Sequence, residues 1–251
     1  MKCRTKKSYW QQGIRKVEYG KALLTGTLLV CTISYLFYGT VWCAILLSPY
    51  LIRYVKSWET QLIRKRKQTF RLQFKEAIMS LSAALNVGYS VENALRETQK
   101  DLQLLYRKDE PILQELRYMI RQLDMNLTVE AILREFALRT EEEEVQLFVD
   151  VFSMAKRNGG DMIAIIRNAV DQIGEKIDVK REIDTMMTAK KLEFGVMSAV
   201  PAAMICYLKL SFPAFMDILY GNLLGAGVMT LCLGIYVASY AFGKRMAEIE
   251  V

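Results

Sequence analysis

The side chains best equipped for chemistry in this 251-residue chain are carboxylates. Glu141, Glu142, Glu143 and Glu144 stand in one run and would suit a cation site if their oxygens converged. Four consecutive carboxylates cannot face one point on a helix, and acidic residues are expected in a first helical turn, where free amides carry partial positive charge. The run therefore reads as a helix start with a solvated face. Glu175, Asp178, Glu182 and Asp184 are the candidates for the paired carboxylates of a membrane-bound lipid-modifying enzyme, and they read better as the exposed face of a helix.

Other reaction types lack their residues. Histidine is absent, which removes Ser-His-Asp and Cys-His nucleophiles and histidine metal ligation. No G-x-x-x-x-G-K-[ST] loop is present, so any use of ATP belongs to a partner. Gly159-Gly160-Asp161 overlaps part of a nucleotide-cyclase signature, but no strand hairpin surrounds it and a helix-helix turn is the better reading. No catalytic residue, cofactor or metal is expected. The cysteines show no paired spacing; Cys31, Cys43, Cys206 and Cys232 fall in apolar runs and read as small hydrophobes.

Apolar residues make up 52% of the chain and charged residues 24%, too greasy for an average soluble domain and too charged for spans alone. Ala22 to Ile52 contains no charge over 31 residues, where one span needs about 20. Residues 1–21, a basic cytoplasmic or interfacial leader, carry seven Lys/Arg against Glu18, and residues 53–67, read as a basic juxtamembrane linker, carry six against Glu59. By the positive-inside rule both basic flanks are cytoplasmic, which predicts a transmembrane hairpin over 22–52 with its tip at Tyr38-Gly39-Thr40. A second apolar region, 194–242, is interrupted by Lys209, Pro213, Asp217 and Gly221-Asn222 and reads as two more spans, closed by Lys244 and Arg245 in a cytoplasmic tail, 243–251. Lys209 and Asp217 read as a snorkelling lysine and a loop aspartate rather than a transport path. In the leader, Tyr9 and Trp10 with Ile14 and Val17 form a possible interfacial anchor.

The stretch 68–193 is helical by its apolar spacing of three and four. Phe74, Ala77, Ile78, Leu81, Ala84 and Leu85 form one stripe; Ile165, Ile166, Ala169, Val170, Ile173 and Ile177 form another. Stripes this wide need other helices to cover them. Punctuation divides the stretch into about six helices: a stop at Gly88, caps at Ser90, Asp109 and Thr128, a capping box from Thr140 to Glu143, a stop at Gly159-Gly160 and a start at Asp161. Three starts resemble one another. Ser90-Val91-Glu92-Asn93-Ala94-Leu95-Arg96-Glu97 and Thr128-Val129-Glu130-Ala131-Ile132-Leu133-Arg134-Glu135 share five identities 38 residues apart, and Asp161 to Arg167 repeats the outline. The predicted fold class is an all-α membrane protein, a single cytoplasmic six-helix bundle between two transmembrane helical hairpins. The stretch holds 18 basic and 22 acidic residues, which argues against nucleic acid as a partner.

These turns, with Pro201 in the following span, resemble the type II secretion system F family of inner-membrane platform proteins. One copy of the six-helix domain behind an apolar hairpin is most similar to the tight-adherence (Tad) pilus branch. The family turn and cap motif maps to Gly88, Ser90, Asn126, Thr128, Gly159, Gly160 and Asp161. At the second turn Asn126 stands where glycine is usual, and asparagine tolerates the left-handed conformation better than other side chains. The resemblance implies a multi-pass protein of the inner membrane, both termini cytoplasmic. It also implies work with a secretion or pilus ATPase, with pilin subunits, and with a second copy or a second homologous platform protein. A small transporter subunit and a membrane-bound lipid-modifying enzyme are the alternatives. Glu141, Glu142 and Glu144, at the opposite end of their helix from Lys156 and Arg157, are the expected contact for the ATPase.

Overall fold

The computed structural model describes residues 10, 20, 23–28, 30–32, 34, 48–158, 162–212 and 223–247. The expected hairpin tip at 38–40, the Gly159-Gly160-Asp161 turn and the loop around Asn222 lie outside the described residues. Among the described residues there is no strand. Among the described residues the helices include α1 (Ser48–Asn86), α2 (Val91–Leu105), α3 (Pro111–Asp124), α4 (Val129–Thr140), α5 (Glu143–Asn158), α6 (Met162–Ser211) and α7 (Leu223–Ala247), and residues 23–28 and 30–32 are helical as well. The basic stretch 53–67, expected as a linker, is part of α1.

The turns explain the helix boundaries. Gly88 takes φ 98, beyond the reach of most side chains, and ends α1: its N–H donates to the Leu85 carbonyl and Tyr89 N–H donates to the Ala84 carbonyl. The α3–α4 turn repeats this pattern. Asn126 takes φ 61, its N–H donates to the Leu123 carbonyl, and Leu127 N–H donates to the Gln122 carbonyl. Ser90 caps α2 by accepting from Asn93 N–H, whereas Thr128 occupies the same position before α4 without a side-chain bond. Two expected caps are displaced. Glu110, not Asp109, precedes α3, with Pro111 as its first residue. Thr140 is the last residue of α4, its hydroxyl donating to the Phe136 and Ala137 carbonyls, so it forms no capping box with Glu143. Glu141 at φ 53 makes the turn into α5.

The chain divides into two compact units. The first takes in Met1–Gly13 and Leu62–Arg181. Helices α1 to α6 all contribute to its buried core, from Phe70, Phe74 and Ile78 of α1 through Leu113, Ile132 and Phe152 to Ile166, Ile173 and Ile177 of α6. Apolar stripes at helical spacing leave water because each square ångström of buried apolar surface contributes about 25 cal/mol. Ile165 of the second predicted stripe faces outward.

The second unit takes in Ile14–Gln61 and Glu182–Val251. Within it α6 and α7 run antiparallel: the Phe194 ring lies 5.6 Å from that of Tyr240, and the Tyr236 hydroxyl donates to the Ser198 carbonyl at 2.8 Å. Gly243 permits the crossing, since a Cβ there would lie 2.3 Å from the Phe194 ring. Met162–Ser211 is long and apolar enough to cross a membrane, and none of its most apolar stretch is buried inside the chain. Gly227–Gly243 is a shorter apolar segment. Pro201 lies inside α6; it cannot donate to the carbonyl four residues back, but the helix continues.

Candidate functional site

Ion pairs define the two ends of the first unit. At the end where α1 enters and α6 leaves, the α4–α5 turn aims two carboxylates inward. Glu142 pairs with Lys67 at 2.7 Å and Arg71 at 3.0 Å, both on α1, and its side chain is 4% exposed. Glu144, 1% exposed, pairs with Lys180 of α6 at 2.7 Å and lies 3.9 Å from Arg71. Glu143, exposed, meets Lys176 at 2.8 Å and Lys180 at 3.6 Å. One short turn thus ties α1 to α6 through seven charged side chains, three carboxylates and four cations. Carboxylates so deeply placed require counter-charges, because an unpaired buried ion is strongly disfavoured.

The protonation states follow. Burial pushes the Glu144 carboxyl up, but the Lys180 hydrogen bond, its own main-chain amide and the Arg71 charge outweigh it and hold the group below its ordinary value of 4.5. The Lys176 hydrogen bond lowers Glu143 likewise. On the same side of the unit Gln73 donates to Glu110 at 2.8 Å, and the Tyr106 hydroxyl donates to Glu76 at 2.6 Å. Burial, then the Glu76 bond, raises the pKa of that phenol.

Trp10 completes this end. Its indole N–H donates to the Thr140 carbonyl at 2.9 Å, its ring meets Phe70 edge-on at 5.1 Å, and the Lys67 ammonium lies 5.7 Å from the ring centroid. The ring is buried in the first unit's core and not free to anchor at a membrane interface. Its partner Thr140 is 130 residues away, a separation that helical periodicity does not register.

At the opposite end Arg96 pairs with Asp124 at 2.5 Å and Lys156 with Glu130 at 2.6 Å. The matching turns Gly88-Tyr89-Ser90 and Asn126-Leu127-Thr128 both lie here, and they expose Val87, Tyr89, Met125 and Leu127.

The structure therefore splits the predicted acidic contact. Glu141 is exposed, but Glu142 and Glu144 are turned into ion pairs and do not form an exposed charged surface. The reason is local: the left-handed Glu141 redirects the chain so that the next carboxylates face α1 and α6. Glu175, Asp178 and Glu182 are exposed along α6, Asp178 pairing with Lys75 at 2.5 Å. An open groove of about 590 Å³ is lined by Gln99, Gln114, Arg117, Tyr118 and Arg139. Two of its three arginines are hydrogen-bonded or paired, Arg139 with Glu115 and Glu135 and Arg117 with the Leu113 and Lys108 carbonyls, and Arg121 lies 6.0 Å from the Tyr118 ring centroid. Among the described residues no cluster of His, Cys, Asp or Glu is placed to hold a metal ion.

What remains is architecture: paired turns at one end, an ionic tie at the other, and a helix running on into apolar sequence. No curated protein and no solved structure matches the chain. The family described as Type II secretion system (T2SS), protein F matches residues 57–208. Its members are membrane platform proteins of secretion and pilus systems and are generally non-catalytic. The match runs from α1 through all of the first unit's later helices into the apolar part of α6, and the chain belongs to the type II secretion system protein F family.

Proposed function

We propose that this chain is a non-catalytic platform of the tight-adherence pilus branch, coupling a cytoplasmic ATPase to the movement of pilin subunits. It would act as an oligomer with copies of itself or with a second homologous platform protein. The observation that carries the reading is α6. One unbroken helix of 50 residues buries Ile166, Ile173 and Ile177 in the first unit and continues into the segment apolar enough to span a membrane. A displacement of its first turns is transmitted along the same rod, because helical hydrogen bonds resist bending.

The topology proposed with it has four spans and both termini cytoplasmic. Two contacts support it. Trp10, before the first apolar run, shares a core with helices that follow that run, as two flanks on one membrane face require. The antiparallel α6–α7 pair supports a hairpin for the last two spans.

With Glu142 and Glu144 in internal pairs, the ATPase contact is better placed at the opposite end, where Val87, Tyr89, Met125 and Leu127 are exposed on neighbouring turns. Cross-linked pull-down from native membranes tests both statements. A secretion ATPase should co-purify with the wild-type chain and be lost from Tyr89→Asp/Met125→Asp, while Glu141→Lys retains it. Absence of any ATPase from the wild-type sample contradicts the coupling.

A further inference from the structure

We propose that Trp10 is a removable plug at the ionic end of the first unit, whose seating keeps the Glu142–Glu144 cluster dry and so holds α1 and α6 to the α4–α5 turn. The ring is 4% exposed and uses both parts of its chemistry there: the indole N–H bonds to the Thr140 carbonyl, and the apolar face covers Phe70. Lys67 is shared, its ammonium 5.7 Å from the ring centroid and 2.7 Å from Glu142.

Two features make the seat separable. The aromatic core beneath stands without it, Phe70, Phe74 and Phe136 contacting one another at 6.2 to 6.5 Å. Trp10 also belongs to a leader with seven Lys/Arg in 21 residues, a composition that water solvates well once the ring is free. When the ring leaves, water reaches the Thr140 carbonyl and Glu142. Ion pairs that are strong in a poorly polarisable interior weaken on hydration, and the grip of Lys67 and Arg71 on the turn loosens. Seated and unseated rings therefore correspond to a stiff and a loose connection between α1, α6 and the turn.

Hydrogen exchange on the full chain in detergent micelles tests it. Trp10→Ala should speed exchange of amides in 140–146 and 64–72 by about tenfold, as local opening does, and leave 86–92 and 124–130 at the wild-type rate. A synthetic peptide of residues 4–16 added in excess should restore the protection. Should Trp10→Ala fail to accumulate, Trp10→Phe, which keeps a ring and loses the N–H donor, should give a smaller increase confined to the same segments. Unchanged exchange, equal acceleration at both ends, or failure of the peptide to restore protection each overturns the proposal.

Discussion

Left-handed turns and buried carboxylates show how single residues set this structure. Gly88 and Asn126 occupy equivalent turns 38 residues apart, and the side chain at Asn126 is the only covalent difference at that position. Asn126→Gly should leave thermal stability within about 0.5 kcal/mol, while Asn126→Val should cost about 1–2 kcal/mol, because a branched side chain fits φ 61 poorly. A Cβ at Gly88 meets no atom within 4 Å, so Gly88→Ala should cost only the backbone strain, about 1 kcal/mol in the same melts. Glu144 predicts a pH dependence. Its folded pKa is lowered, so the unfolded chain takes up the proton first; the stabilisation is complete above the ordinary value of 4.5 and is lost as pH falls through the folded value. Glu144→Gln should remove about 2 kcal/mol at neutral pH, less than a fully buried pair because Lys180 and Arg71 retain 26% and 23% side-chain exposure. Urea titrations of both proteins from pH 7 downward should show the difference persisting through pH 4.5 and vanishing only as pH falls below the folded value of Glu144. The left-handed role of Asn126 is legible from the family resemblance, which expects glycine at that turn, together with the few side chains that suit φ 61. It missed the burial of Glu142 and Glu144, because a carboxylate run has the same composition whether it faces water or three cations contributed by distant helices.

At the scale of elements, helix number and type follow from apolar period, and boundaries follow from caps. Between residues 68 and 193 the stop at Gly88 and the cap at Ser90 are readable because they act locally, while the stop at Gly159-Gly160 and the start at Asp161 lie outside the described residues. Boundaries failed where tertiary contacts decide them. Thr140 and Glu143 have the spacing of a capping box, but Thr140 remains helical with its hydroxyl bonded one turn back. The basic stretch 53–67 carries no breaker, and α1 runs through it. Gly243→Ala places a methyl 2.3 Å from the Phe194 ring and should weaken α6–α7 pairing by about 1–3 kcal/mol, as overpacking does. Gly234→Ala, with nothing within 4 Å, should be neutral or slightly stabilising. Steric-trap or thermal unfolding in micelles distinguishes the two; equal effects would show that Phe194 does not pack on Gly243.

For the whole molecule, α6 runs from the first unit into a segment apolar enough to cross a membrane, and within the first unit the Glu142–Glu144 turn ties α1 to α6. Reporter fusions after residues 60, 110 and 251 should be cytoplasmic, and insertions at Gly39-Thr40 and near Asn222 should face outside, as the basic flanks dictate. A cytoplasmic tip at residue 39 contradicts the first hairpin. The transmission itself is tested by replacing Thr188-Ala189 with Pro-Gly, which breaks α6 beyond Arg181, where the first unit ends, and before Phe194, where the pairing with α7 begins. Pilus assembly or cargo secretion is then measured beside ATPase co-purification. The account predicts that output falls to background while the chain still inserts and still retains the ATPase. Normal assembly with α6 broken would contradict it.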